Sequence, residues 1–534
     1  MVIIFCPCYF FLVPLYLTIV MTTQYNVKEK NSVLPRTELV VMFWQKDNLG
    51  LIGKDKAFVQ QMLTKFSANG EAGETQAIHY PINEKTRTVF CCGLGDRPTV
   101  DTFRRGVATA VQYAKTIAVR ELTVIVPEIF KEGFEIGVAA VEGIELGGYR
   151  FAKYQAQQNK IYEQRSILSI DLLVGKGLVA STTRGIKTGK IYCDATILTR
   201  NLVNEPAKNS RPADLVTIAQ QLADGSKGSI KIEIFDQKEC ELRKMGAFLA
   251  VAQGATHEPY FIHLTYQPEK KDESSELVKI ALVGKGVTFD SGGLSIKPSD
   301  SMETMKCDMA GAAAVLGVFS VLEKTKPQAI VHGYVAACEN MPSGSAIKPG
   351  DVVETQSGKT VEIRNTDAEG RLTLADSISE ALKEKPDYLI DIATLTGACV
   401  VALGEEVSGL FSNDQEFAEQ LIISAQKEGE QVWPMPLTED YRPLIKSAIA
   451  DIRNTSLKRW GGAITAALFL ESFVEKTPWI HLDIAGPAYS EQQVNPVNPV
   501  GASGAATRML LRFLRDLKHV GVIQESPKNK TTKI

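Results

Sequence analysis

Short β-branched and aromatic runs predict strands over residues 38–44, 87–93, 122–126 and 167–174, with apolar positions at helical spacing over 100–116 and 132–149 between them. That alternation predicts a smaller N-terminal α/β domain. A long helical run over 188–204 follows and stops at Pro206; it reads as the connector to a second domain. Beyond it the apolar runs become continuous. KIALV (279–283), AIVHGYVAA (329–337), YLIDIA (388–393) and WIHLDI (479–484) carry the signature of strands buried on both faces. Helical spacing over 308–324, 371–385 and 461–476 alternates with them. The expectation is a larger C-terminal α/β domain around a central mixed sheet, partly parallel. The expected limits are 22–185 for the first domain, 186–205 for the connecting helix and 206–525 for the second domain. In such sheets ligands bind beyond the carboxyl ends of the strands, so the polar residues there are the place to look for chemistry.

One such place is NTDAEGRL, Asn365 to Leu372. VEIR before it has strand character and LTLADSISEALKEK after it has helical spacing, so the octapeptide is a strand-to-helix loop. Asp367, Glu369 and Arg371 alternate, and alternate residues of an extended segment point the same way. Two carboxylates that close repel unless a cation lies between them. A calcium loop fails on inspection. A strand rather than a helix precedes it, Asp376 stands where a bidentate Glu belongs, and Arg371 would aim a positive charge at the ion. A solvated acidic turn and a metal-catalytic loop both stay open on the octapeptide alone.

A second place follows KIALV directly. GKGVTFDSGGLSIKPS, 284–299, holds Lys285, Asp290 and Lys297 among glycines that let backbone approach a ligand. Neither nucleotide motif, G-x-x-x-x-G-K-[ST] or G-x-G-x-x-G, is present in it. MKCDMAGAAAV then sets Asp308 at the start of an alanine-rich helix, where capping is the ordinary use of an Asp. Taken singly, Lys285 and Lys297 read as solvated loop lysines. Four carboxylates in the loops of one sheet are nonetheless costly without cations.

Composition narrows the classes. A chain of 534 residues, 44% hydrophobic and 23% charged, is ordinary for a globular protein of more than one domain. A net charge of −3 supplies no basic field for nucleic acid or an anionic membrane. Nine scattered cysteines read as reduced thiols of a cytoplasmic protein rather than a disulfide framework. Six histidines form no H-E-x-x-H pair, so any metal site leans on carboxylates. Residues 1–21 are an uncharged apolar extension, either an anchor or a stretch upstream of initiation at Met21. The second reading is favoured, and no membrane contact is expected unless residues 1–20 are retained. Residues 526–534 read as a disordered tail.

GKGVTFDSGGLSIKPS, MKCDMAGAAAV and NTDAEGRL, together with GGAITAALFLESFV and HLDIAGPA, resemble the diagnostic segments of the leucyl aminopeptidase (cytosol aminopeptidase) family of two-metal exopeptidases. The likeness runs through the second domain and is weaker in the first. It implies a metal-dependent aminopeptidase that releases N-terminal Leu and other apolar residues from peptides by attack of a metal-bridging hydroxide. It implies two divalent ions, Mn or Zn. One would be held by Asp290, Asp367 and Glu369 with the Asp367 carbonyl, the other by Lys285, Asp290, Asp308 and Glu369. Lys297 would stabilise the oxyanion, and Arg371 would hold a bicarbonate that shuttles the proton. Met305, Asn365, Thr394, Leu395, Gly397, Ala485 and Ala488 would bind substrate. A homohexamer is implied as well. The charges are consistent with this: four carboxylates balance two dications, and Lys285 can ligate only after losing its proton. A silent interaction protein on the same scaffold would have lost a ligand or Lys297, and neither is lost. A two-metal phosphoesterase usually adds histidine ligands, and no histidine neighbours these loops.

Overall fold

The computed structural model describes residues 23–30, 37–45, 48–49, 55–82, 85–269 and 276–517. The apolar extension over 1–21 and the tail over 526–534 lie outside the described residues. The chain divides into two compact units, one of residues 1–96, 110–131 and 151–179, the other of 97–109, 132–150 and 180–534.

The first unit is built on a seven-stranded sheet in the order Gln24–Glu29, Ser169–Val174, Glu121–Ile125, Leu39–Gln45, Lys85–Gly93, Thr75–Ile82, with the short Asn48–Leu49 beside Leu39–Gln45. The four strands predicted from apolar runs are the inner ones. Leu39–Phe43 is buried throughout, as a strand paired on both sides should be. The two outer strands carry no such run. Gln24–Glu29 is half-exposed and polar, and Thr75–Ile82 contains Pro81, so neither announces itself by hydrophobicity.

The second unit holds an eight-stranded sheet. Its strands in chain order are β1 (Ile230–Phe235), β2 (Tyr260–Tyr266), β3 (Val278–Asp290), β4 (Ala329–Asn340), β5 (Tyr388–Ala393), β6 (Val407–Ser412), β7 (Gln431–Pro434) and β8 (Trp479–Asp483). In space they run β7-β6-β8-β5-β3-β4-β2-β1. The centre is parallel: β3 pairs β4 and β5, and β5 pairs β8. β2 and β6 run antiparallel to their inner neighbours, which makes the sheet mixed.

Successive residues of β3 face opposite layers. Ile280 and Leu282 pack with helix α1 (Ala310–Phe319), every residue of which is buried. Ala281 and Val283 pack with helices α2 (Gly370–Ala381) and α4 (Gly462–Glu471). A strand between two helical layers needs apolar residues at every position, which is why KIALV reads as continuous. A short helix α3 (Gly397–Leu403) follows β5, and α5 (Thr507–Asp516) closes the described chain.

Some elements differ from expectation at their ends. The helix expected from 308 starts at Ala310, and a separate turn, Leu322–Thr325, follows it. The helix expected from 188 is longer, Val179–Asn204. VEIR contributes only its first two residues to a strand, Thr360–Glu362. Among the described residues no helix is long and apolar enough to cross a membrane.

Candidate active site

Asp290 is the last residue of β3. The pairing of β3 with β4 shifts register between Val287 and Phe289, a bulge-like irregularity just before it. Its Oδ1 accepts from Gly292 N–H and from Asn340 Nδ2, both at 2.8 Å, and its Oδ2 lies 2.8 Å from Lys297 Nζ. Lys297 reaches back from the loop to bridge Asp290 and Asp367, with Asp367 Oδ1 at 2.5 Å. Gly292 is required here. Its φ is +84°, and a Cβ would come within 2.5 Å of Ser295 O and 2.8 Å of Asp367 Oδ1.

Lys285 sits earlier on β3 and is buried. Its Nζ lies 2.7 Å from Asp308 Oδ1 and 2.8 Å from Glu369 Oε1, and donates to Thr394 O at 2.9 Å. Asp308 is not the helix cap expected of it. Met309 holds the cap position of α1, while the Asp308 carboxylate accepts from Lys285 and from Thr394 Oγ1, the latter at 2.8 Å.

The NTDAEGRL loop is a turn, not the extended segment whose alternation would align its side chains. Asn365 Oδ1 accepts from Asp367 N–H at 2.9 Å, a local Asx turn. Carboxylate oxygens of Asp367, Glu369 and Asp290 still converge, all within 4.8 Å of one another, and could hold a metal ion. Tertiary folding brings these groups together where strand periodicity was expected to. Arg371 lies in the first turn of α2, buried, and donates from Nη1 to Asn454 O at 2.7 Å.

The electrostatics follow from burial against pairing. Burial and the neighbouring Glu369 push the Asp290 carboxyl up to about 6, against the pull of Lys297 and Lys285. Burial raises Asp308 well above the carboxylate range and raises Asp367 less. Burial opposes charge on Glu369 too, but Lys285 and Lys297 outweigh it and hold that carboxyl below its usual value. On the two lysines burial is likewise overcome by the carboxylates, so both are held protonated above their ordinary range. The lysines are therefore the cations that balance this cluster among the protein's own groups.

Two carboxylate oxygens of this cluster have no partner, and Asp367 Oδ1 meets Lys297 alone. Asp308 Oδ2 and Glu369 Oε2 are buried and accept no hydrogen bond. An unsatisfied buried carboxylate oxygen costs about 1–3 kcal/mol or more, and a cation bound between them would satisfy both. A carboxylate-rich set with one amine suits a hard or borderline divalent cation. The donors therefore fit the metal reading.

Of the substrate residues that the resemblance implies, Asn365 and Thr394 touch this cluster. Thr394 is tied to both Lys285 and Asp308. Met305 is half-buried in the single turn that ends at Asp308. Leu395 and Ala485 are half-buried, and Gly397 is exposed, with open space where a Cβ would go. Ala488 is buried in the core beside α1. Sequence reasoning missed three polar side chains that fix the loops. Asn340 holds Asp290 and also donates to Thr366 O at 3.0 Å. Asn454 donates to Asn365 O at 2.7 Å and accepts from Arg364 N–H. Asp483 accepts from Thr396. Asn340 and Asn454 stand in none of the segments singled out above, Asp483 lies in HLDIAGPA without a role assigned to it there, and each acts across a long stretch of chain.

Comparison with known proteins decides the family. The model of the cytosol aminopeptidase family catalytic domain matches residues 197–511, and that of the family's N-terminal domain matches residues 51–158. The chain belongs to the cytosol aminopeptidase family. The probable cytosol aminopeptidase of Aquifex aeolicus (strain VF5) is 44% identical over 430 residues, covering 80% of this chain and 84% of that protein. That of Persephonella marina (strain DSM 14350 / EX-H1) is 41% identical over 462 residues, 85% of this chain and 90% of that protein. Among solved structures, the K354E mutant of tomato leucine aminopeptidase superposes with a TM-score of 0.80 at 34% identity, covering 92% of this chain and 96% of that one. A bottromycin maturation enzyme, BotP, in complex with Mn superposes with a TM-score of 0.77 at 31% identity, covering 90% and 99%. As a member of that family the protein is a metal-dependent aminopeptidase, a hydrolase of peptides. The phosphoesterase and silent-scaffold readings find no support.

Proposed function

We propose that the enzyme removes Leu and other apolar residues from peptide N-termini, with two divalent ions held by Lys285, Asp290, Asp308, Asp367 and Glu369. The observation that carries this is the pair of buried, partnerless oxygens, Asp308 Oδ2 and Glu369 Oε2, beside the convergent Asp290, Asp367 and Glu369 carboxylates. Bound there, the ions would supply an activated water and polarise the scissile carbonyl. Mn is the first candidate, since BotP of the same fold is in complex with Mn, and Zn is the second.

The chain's own residues supply the rest. Lys297 is fixed by Asp290 and Asp367, so its ammonium is already in place to donate to the carbonyl oxygen as negative charge develops there. Asn340 and Gly292 N–H hold Asp290 in one orientation. Thr394 holds both Lys285 and Asp308, tying two ligands to the substrate loop. The buried Nε of Arg371 has no partner, and burial lowers the guanidinium to about 10. That orphan donor suits a small anion such as bicarbonate, which would carry the proton between water and leaving amine. Met305, Asn365, Thr394, Leu395, Gly397, Ala485 and Ala488 would receive the substrate's first residue. Small and apolar walls favour Leu or Met and disfavour acidic side chains.

The seven cysteines among the described residues are buried and form no disulfide with one another, which supports a reducing, cytoplasmic location. Trp433 and Trp460 are 62% and 68% exposed, which supports burial against further copies in a homohexamer. Sedimentation at micromolar concentration checks the assembly; a monomer contradicts it. For the activity, leucine p-nitroanilide and p-nitrophenyl phosphate are offered with and without chelator. Chelator-sensitive hydrolysis of the anilide alone is expected, and phosphate release would overturn the reading.

A further inference from the structure

Asp483 closes β8 and is 0% exposed. Its carboxylate makes no ion pair with a lysine or arginine among the described residues; it faces four donors instead. Oδ1 accepts from Leu395 N–H at 3.2 Å, from Thr396 N–H at 3.4 Å and from Ala485 N–H at 3.2 Å. Oδ2 accepts from Thr396 Oγ1 at 2.6 Å. The hydroxyl of Thr396 in turn accepts from Cys399 N–H at 3.0 Å, capping α3. Every donor to this carboxylate thus comes from one of two loops, 394–397 after β5 and the residues just after β8.

We propose that Asp483 is a positioning residue for substrate choice: it braces the 394–397 loop against Ala485 and so sets the width of the pocket that receives the substrate's N-terminal side chain. This rests on the reading that Thr394, Leu395, Gly397 and Ala485 line that pocket. A carboxylate suits the task because its two oxygens accept several bonds at once, whereas an alcohol or amide offers fewer acceptors. Three of the four bonds hold backbone N–H groups, and the fourth holds the Thr396 hydroxyl that caps α3, so the pocket wall is set by main-chain position. Gly397 lies in the same loop, and a Cβ there would meet nothing within 4 Å, so a side chain added at this position enters open space. Lys297, Asp290 and Asp367 are held by bonds outside this loop. Lys285 and Asp308 touch it through Thr394, but Lys285 is also bonded directly to Asp308 and to Glu369, so loosening this brace changes which residue fits more than how the bond is cut.

The test compares kcat/KM for leucine and alanine p-nitroanilides in wild type, Asp483→Ala, Asp483→Asn, Thr396→Val and Gly397→Val, with metal content measured in each. The Leu-over-Ala preference is expected to fall by ~10-fold in Asp483→Ala, the scale of discrimination in an apolar pocket. Metal content stays at the wild-type level, and kcat on the alanine substrate stays within about threefold. Asp483→Asn keeps one acceptor oxygen and is expected to restore most of the preference. Thr396→Val removes the hydroxyl bond to Asp483 together with the cap on α3, keeps the three N–H bonds to the carboxylate, and moves the preference the same way by less; it carries the test if Asp483→Ala does not fold. An unchanged preference in both Asp483→Ala and Thr396→Val overturns the proposal, as does an equal loss on both substrates or a loss of metal. Gly397→Val separates the two readings. If it leaves the preference intact, the pocket reading itself fails; if it abolishes the preference while Asp483→Ala does not, the pocket stands and the brace is wrong.

Discussion

Gly370 lies flush against Lys285: a Cβ at position 370 would come within 2.5 Å of Lys285 Cε and 2.7 Å of Nζ. The first residue of α2 is thereby the floor on which the lysine of β3 rests. Gly370→Ala must push the lysine off Asp308 and Glu369. The expected outcome is weaker metal retention and at least ~10-fold lower kcat/KM at limiting metal, recovered in part by excess metal. Elemental analysis beside kinetics checks it; a fully loaded, fully active variant refutes the contact's role.

Lys285 and Lys297 should fail differently although one loop region carries both. Lys285→Ala removes a proposed ligand, so activity becomes dependent on added metal. Lys297→Ala leaves the metals and lowers kcat by roughly 10²–10³, about the loss of one oxyanion donor, with a smaller change in KM. Metal per subunit and steady-state kinetics on both variants decide it. A metal lost from Lys297→Ala would sink the assignment.

Chelation is expected to abolish activity, and Mn or Zn to restore it. Acid should act through the same atoms. Protons compete with cations for these carboxylates, and Asp290 takes its proton at about 6. Protonation removes a ligand, so metal affinity falls as pH drops through that value and rises above it. Titration of metal affinity at about pH 5 and about pH 8 checks the sign; equal affinities would contradict it.

Asp376 lies on the same helix as Arg371 but serves stability alone. Its buried carboxylate accepts from Phe248 N–H at 2.9 Å and Gln356 N–H at 2.8 Å. Asp376→Ala strands both buried donors, at about 1–3 kcal/mol each. Thermal or denaturant unfolding should show that loss, with metal content per folded chain unchanged. A variant as stable as wild type would show that water replaces the carboxylate at no cost.

The chemistry of this protein was legible in its sequence because it sits in short, locally dense segments. Lys285, Asp290 and Lys297 lie in one short segment, the end of β3 and the loop after it; Asp367, Glu369 and Arg371 lie in another, the loop that leads into α2; and the continuous apolar runs of β3, β4, β5 and β8 mark strands covered on both faces. Local period and composition determine such features without knowledge of the fold. Gln24–Glu29 carries no apolar run to read, whereas Ile230–Phe235 alternates apolar and polar residues and, like β2 and β6, was not among the expected strands. Tertiary structure alone decided what each charged group touches. Asp308 has the sequence position of a helix cap, yet it meets Lys285 from 23 residues away. Asn340 orients Asp290 across 50 residues, Asn454 receives Arg371 across 83, and Asp483 braces Thr396 across 87. A hydrogen bond between residues so far apart leaves no periodic trace in the chain; the order in which β5, β3 and β8 assemble creates the partnership.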